Sequence, residues 1–323
     1  MGKIKPGVTL YSFSTEYCQG KMSLEDCIRT ARELGAEGFE IVATQMIPCY
    51  PFIDDRFAGE LAAMCRYYDI EAVSYGANMD KGLRGDRSLT DDEMLQFAIR
   101  DIRNAHKLGC KVIREQWLIG PENFGRLAPY AEAYGVKVGI EIHNPDSPIS
   151  PMIMQFREVL DRVNSPYLGF VPDFGCFAVK PNKPGWDNAI RDGAKEELLE
   201  MARDFKYADV PEEEAIAKMK EAGAGLAELT AMRDMYGFMQ FKKDVSAELQ
   251  GLREIIPRCV HMHGKYHYLY ENYEEASIPY QDILQVLKEE GYEGYIVSEY
   301  EMYHSDCSIE MLRRHQQLLR KYI

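Results

Sequence analysis

The 323 residues are 46% hydrophobic and 28% charged, a balance that supplies a large core and excludes a disordered chain. Acidic side chains outnumber basic ones 52 to 38, for a formal charge of -14, so the surface repels a phosphate backbone and nucleic acid is excluded as a partner. The eight cysteines are scattered from Cys18 to Cys307 without a C-x-x-C pair, and no apolar run approaches the roughly 18 to 20 residues that span a bilayer. With no apolar signal stretch in Met-Gly-Lys-Ile-Lys-Pro, a cytoplasmic protein with reduced thiols and no membrane partner is expected.

Short β-rich runs alternate with amphipathic helices along the chain. Residues 8–13 form the first strand candidate; Ser23, with Asp26 three residues on, then opens a helix whose apolar positions Leu24, Cys27, Ile28, Ala31 and Leu34 keep helical spacing until Gly35. Strand 39–42 precedes a helix over 56–68, and strand 70–75 precedes one opened by the Thr90-x-x-Glu93 box and closed at Gly109. Strands follow at 110–114, 136–142 and 168–171, with a helix over 151–163. The last two strands, 260–263 and 295–298, precede helices over 280–290 and 309–321.

Eight strand candidates, each leading to a helix, predict one α/β domain over 1–323, a (β/α)8 TIM barrel. A doubly wound sheet would carry fewer strands and an early phosphate turn, but neither G-x-G-x-x-G nor a Walker pattern is present. About 85 residues separate Gly175 from Val260, where one unit needs roughly 25 to 35, so 176–258 is read as a long helical insertion after the sixth strand. It holds Pro184-Gly185-Trp186, a helix candidate at 194–205, an acidic run at 212–214 and a Met-rich aromatic patch at 232–241. Decoration packed on the barrel is one reading; a lid or partner-docking element is the other, because exposed Met and aromatic residues favour interfaces.

Barrel enzymes place their chemistry where strands end, and four strands here end in acidic or imidazole groups. Glu141 and His143 are two apart, Asp173 ends the next strand, His261 and His263 are two apart, and so are Glu299 and Glu301. Side chains two apart on a strand share a face. We expect these pairs to point inward, with Ile140, Ile142, Val260, Met262 and Val297 left to meet the outer helices. Charges inside a barrel cost several kcal/mol unless paired or coordinated, so this convergence calls for a cation. Two Glu, one Asp and one His suit Mn²⁺ or Mg²⁺ with open positions better than a closed structural zinc site. Any one of these residues alone reads more simply as salt-bridged or hydrogen-bonded.

On these residues the chain resembles the xylose isomerase-like barrels, the sugar phosphate isomerase/epimerase superfamily that includes ketose 3-epimerases, inosose dehydratases and endonuclease IV. The resemblance implies one metal held by Glu141, Asp173, His263 and Glu299. The family ends that strand as His-x-His-x-Gly or His-x-Lys, so His261-Met262-His263-Gly264-Lys265 puts His263 in the liganding place, and the path through Ile278-Pro279-Tyr280 and Gly291-Tyr292-Glu293-Gly294 to Glu299 looks like the family's final β-α-β unit. The chain departs from the family at Asp173-Phe174-Gly175-Cys176, where many members carry Asp-x-x-His, and in its long insertion. The opening Gly7-Val8-Thr9-Leu10-Tyr11-Ser12-Phe13-Ser14, Glu141-Ile142-His143-Asn144 and the insertion together are similar to the α subunits of bacterial C-glycoside deglycosidases.

That resemblance implies a hetero-oligomer with a small, β-rich beta subunit and a 3-oxo-C-glycoside substrate, oxidised at C3 by another enzyme. The cofactor would be a divalent metal, Mn²⁺ first, with Mg²⁺ or Co²⁺ as alternatives. His143 would act as the neutral base that removes the C2 proton, after which the aglycone leaves by elimination. A His that only hydrogen-bonds a ligating carboxylate is the alternative for that residue. For the whole chain the alternatives are a ketose isomerase or epimerase using the same deprotonation, and a non-catalytic sugar-binding barrel. Trp117, Tyr75 and Arg114 are read as packing at the barrel end; His267, Tyr268, Tyr270 and Tyr273 are candidates to stack on an aglycone. His106 and His315 are read as solvated groups on helices.

Overall fold

The computed structural model describes residues 4–302 and 307–323, so the first three positions of the N-terminal stretch read above lie outside the described residues. Eight strands form the barrel wall: β1 Lys5–Thr9, β2 Gly38–Val42, β3 Glu71–Gly76, β4 Val112–Glu115, β5 Lys137–Ile142, β6 Leu168–Pro172, β7 Met262–Tyr266 and β8 Tyr295–Tyr300. Every pairing is parallel, in the order β6-β5-β4-β3-β2-β1-β8-β7. Two isolated parallel bridges, Phe170 with Cys259 and Asp173 with His263, join β6 to the β7 side, leaving a nearly closed TIM barrel. Glycine permits this approach: a Cβ on Gly169 would stand 2.0 Å from the Arg258 carbonyl oxygen, and one on Gly139 would stand 2.5 Å from Val260 Cγ2.

Local signals set the helices. Ser23 and Asp26 form a reciprocal capping box on Leu24–Glu33, and Thr90 and Glu93 form another on Asp91–Leu108, which Gly109 ends at a φ of 80°. Helices Asp55–Tyr68, Pro151–Val163, Tyr280–Glu289 and Ser308–Tyr322 complete most of the outer layer. The β6–β7 connection adds Lys183–Arg191, Glu196–Tyr207, Glu212–Glu221, Leu226–Tyr236 and Ser246–Ile255. No helix among the described residues is long and apolar enough to cross a membrane.

Several local expectations change. Residues 10–13 form a 3-10 turn, Leu10–Phe13, rather than strand, because Ser12 Oγ donates to the Ser298 carbonyl at 3.1 Å and accepts from the Tyr300 amide at 2.9 Å. This draws the chain over the end of β8 while Leu10 and Phe13 stay buried. Strand β7 starts two residues late and runs on to Tyr266, so Lys265 lies on it. Val260 and Val297 face the barrel interior instead of the helices. Val260 packs against Gly139 and Gly169, whose positions share the parity of Glu141 and Asp173, while Ser298, next to Val297, faces outward to His315. In the insertion, Met232, Met235 and Phe241 are buried and seat it on the core, so the exposed Met-rich surface reduces chiefly to Phe238, which is 50% exposed.

His106 is exposed, whereas His315 is fully buried. Its ring stacks on Tyr266 at 4.1 Å and meets the edge of Tyr280 at 4.9 Å, its Nδ1 lies 2.7 Å from Ser298 Oγ, and burial pushes its pKa down to about 3. It shares its helix face with Met311, Leu312, Leu318 and Leu319. Tyr75 packs as expected, its hydroxyl donating to Asp101 Oδ1 at 2.8 Å.

Close to Asp101, Glu115 is also buried. Burial, aided by the Asp101 charge, pushes the Glu115 carboxyl up to about 8, and burial pushes Asp101 up to about 6. Acids held above their unfolded values bind protons on folding, so they cost stability as pH climbs from the unfolded carboxylate range through about 6 for Asp101 and about 8 for Glu115, by up to about 1.4 kcal/mol per unit for each group within its window. Glu115→Gln should therefore lose less stability than the parent between pH 5 and pH 8 in urea titrations. An unchanged difference between those two pH values would contradict this reading.

Candidate metal centre

Strands β5, β7 and β8 and the residue after β6 present Glu141, His263, Glu299 and Asp173 to one point at the C-terminal end of the barrel. One ligand atom from each lies within 4.8 Å of the others, and all four residues are buried. His263 Nδ1 is 2.9 Å from Glu141 Oε1 and 2.8 Å from Glu299 Oε2. Asp173 is turned into place by its own local structure: Oδ1 accepts from the Gly175 amide at 2.6 Å, which leaves Oδ2 for the cluster. A Cβ on Gly175 would stand 2.9 Å from that Oδ1, which accounts for the glycine of Asp173-Phe174-Gly175.

His263 Nδ1, Asp173 Oδ2 and Glu299 Oε2 are buried without a hydrogen-bond partner. Each such atom costs about 1–3 kcal/mol or more when charged. Three orphans facing one point, in a set of three carboxylates and one imidazole, fit a divalent cation with oxygen preference. The charge balance points the same way, since Glu40, Glu141, Asp173, Glu299 and Glu301 are all buried against two permanent cations, Arg114 and Lys265.

A deeper layer orients these ligands. His263 Nε2 lies 3.1 Å from Glu40 Oε2, which also accepts from Ser74 Oγ at 2.8 Å. Donation from Nε2 to Glu40 fixes the tautomer that turns the Nδ1 lone pair to the cluster. Burial opposes ionisation of Glu40, but His263 and Arg114 outweigh it and hold the carboxyl well below its usual range. His261 contacts Ser74 Oγ at 3.1 Å, and burial pushes it down to about 4, so it is neutral. Glu40, His261 and His263 form a second compact group, which shares His263 with the first. Arg114 does more than pack: its Nε is 3.7 Å from Glu141 Oε2 and its Nη1 donates to the Ala77 carbonyl at 2.8 Å.

On the open side, Lys265 Nζ lies 3.2 Å from Asp173 Oδ2, 2.5 Å from Glu301 Oε2 and 3.3 Å from His143 Nε2. His143 Nδ1 is 2.7 Å from the Asn144 carbonyl, so Nδ1 carries a proton and Nε2 is the nitrogen turned toward Lys265 and Glu301. Burial and Lys265 push this imidazole down, but Glu301, Asp173 and Glu141 outweigh them and hold it at about 9. A cation that neutralises Asp173 and Glu141 removes two of those three pulls and favours the neutral ring.

Sequence reasoning missed Glu40 and the role of Lys265. Both had a signal: Glu40 is the lone charge in the apolar strand Gly38–Val42, and Lys265 shares strand parity with His263. His267 is not open to stack on a ligand, because it is buried with Nδ1 3.1 Å from the Glu301 carbonyl. Trp117, Tyr270 and Tyr273 are 44%, 44% and 41% exposed.

The charge balance predicts that chelator-treated protein gains thermal stability when Mn²⁺ is added. At a free concentration about 100 times Kd the gain should be about 2.7 kcal/mol. Asp173→Asn should abolish most of it, and a parent midpoint that ignores the cation would contradict the fit.

Residues 28–322 match the family described as xylose isomerase-like TIM barrel. The chain is 32% identical to a 3'-dehydrocarminate deglycosidase alpha subunit from Microbacterium sp, over 98% of this chain and 94% of that one. It is 34% identical to a C-glycoside deglycosidase alpha subunit from Microbacterium trichothecenolyticum, over 92% and 83% of the two chains. A solved D-psicose 3-epimerase from Clostridium cellulolyticum H10 superposes with a TM-score of 0.59 over 99% of this chain and 98% of that one, at 14% identity, a likeness of fold alone. Barrel, strand-end cluster and these matches agree: the chain belongs to the xylose isomerase-like TIM barrel family.

Proposed function

We propose that this chain is the catalytic α subunit of a C-glycoside deglycosidase, cleaving the carbon-carbon bond between a sugar oxidised at C3 and an aromatic aglycone. The observation that carries the reading is His143 Nε2 3.3 Å from Lys265 Nζ, which itself lies 3.2 Å from the orphaned Asp173 Oδ2. The alpha-subunit names of relatives at 32% and 34% identity support it and point to a second, small β-rich subunit as partner. Eight cysteines scattered along the chain without close pairing support a reducing, cytoplasmic setting.

Glu141, Asp173, His263 and Glu299 would hold the metal, Mn²⁺ before Mg²⁺ or Co²⁺. When bound, it supplies positive charge beside the substrate oxygens and lowers the cost of charge developing there. The C3 carbonyl acidifies the C2–H bond, and His143 Nε2 takes that proton. The electron pair left behind forms a C1–C2 double bond as the C1–aryl bond breaks. The aryl carbon leaves with the pair of that bond and takes up one proton, so the imidazolium can return what it removed. Glu301, 3.8 Å from Nε2, stabilises the charged ring during the interval. Lys265, 3.3 Å from Nε2, would donate to it once the ring is neutral and keep that tautomer aligned.

Purified protein, with and without the partner subunit, should cleave a 3-oxo-C-glucoside and leave a free ketose unchanged. Turnover of the ketose alone would favour an isomerase or epimerase. His143→Ala and His143→Gln should lower turnover by about 10² to 10⁴ at full metal content. If His143 only supported a ligand, the same variants would instead weaken metal affinity by about 10- to 100-fold. Retained turnover with the metal saturated removes His143 from the chemistry.

A further inference from the structure

A cavity of about 650 Å³ opens between the helices Lys183–Arg191 and Leu226–Tyr236, both in the β6–β7 connection. Trp186, Ala189, Met235, Phe238, Met239 and Met302 supply its apolar wall. Its inner end adjoins the candidate metal centre. The Phe238 ring lies 4.8 Å from the His143 ring, tilted by 32°, and Met302 directly follows Glu301. Three contacts fix this end: Asn144 Nδ2 donates to the Gln240 carbonyl at 2.7 Å, and Asn182 Nδ2 lies 3.6 Å from Met302 Sδ and 3.8 Å from Met239 Sδ. The charged cluster and this apolar cavity therefore meet at His143.

We propose that the cavity is the aglycone subsite, holding a planar hydroxylated aromatic ring system while the sugar lies on the carboxylate cluster. This rests on the deglycosidase reading and adds what it lacks, the part of the chain that selects the aglycone. The size falls in the roughly 300–1,000 Å³ range of drug-sized sites. Thioether sulfurs and aromatic faces suit a flat π system, and Asp192 and Asp234, which also line the cavity, can accept from phenolic hydroxyls. The scissile bond would then lie beside His143, because C1 carries the aglycone and C2 carries the proton.

The chain has two tryptophans, so Trp117→Phe leaves Trp186 as the sole reporter in the cavity wall. Metal-loaded full-length protein titrated with the free flavone apigenin should show saturable quenching. Thr230→Phe, on the lining helix, should weaken it about tenfold or more and raise KM for a 3-oxo-C-glucosyl flavone to match, with metal content unchanged. Ala227→Phe, also on the lining, is the second variant, with folding checked by circular dichroism. Unsaturable quenching, or folded variants that leave both quenching and KM unchanged, overturns the subsite even if cleavage occurs. Saturable quenching that both variants weaken, without cleavage by the parent, sustains the subsite and defeats the reaction. Quenching abolished by the partner subunit assigns the cavity to the partner and overturns the proposal.

Discussion

The end of the barrel gathers more buried negative charge than its own side chains neutralise, and much of the rest of the site follows from that. Five carboxylates and two permanent cations are buried on the inward faces of β2, β4, β5, β7 and β8 and just beyond β6 and β8. Arg114 and Lys265 each stand among several acids, and His263 lies between two of the same ones. Left unpaired, such groups would cost several kcal/mol each. The arrangement is tolerable because the acids surround one point, where a divalent cation can serve several of them together. A cation there would also weaken the hold of the surrounding acids on the His143 proton.

The β6–β7 connection joins fold to function. Its two ends are stitched together by the bridges at Phe170–Cys259 and Asp173–His263, so barrel closure also positions two of the four ligands. Its middle returns over the C-terminal end of the barrel, where the Phe238 ring lies against His143 and Met235 and Met239 line the cavity beside it. One excursion of the chain thereby sets an apolar recess beside the polar cluster that the strand ends supply.

Much of this was legible in the sequence, for identifiable reasons. Strand-helix alternation gave the barrel, capping boxes at Ser23 and Thr90 gave helix starts, and period-two spacing put Glu141, His263 and Glu299 on inward faces. What failed did so where tertiary contacts overrule local pattern. Residues 10–13 have strand composition, but Ser12 ties them across β8. His315 carries a polar label on an otherwise apolar helix face, and the label was weighed above the face. Val260 and Val297 were sent outward for being apolar, although Val297 shares parity with Glu299 and belongs inside by the same spacing rule. Glu40 and the role of Lys265 are not legible from single charges on strands, because both exist only as partners of the cluster.

The central claim is that Glu141, Asp173, His263 and Glu299 together hold one divalent cation on which the proposed chemistry depends. Crystals grown with Mn²⁺ and measured at the manganese absorption edge test it directly. The account predicts a single strong anomalous peak bounded by carboxylate oxygens of Glu141, Asp173 and Glu299 and by His263 Nδ1, with His143 Nε2 left unligated. A peak among Glu40, His261 and His263 instead, or no peak within the barrel, would contradict it.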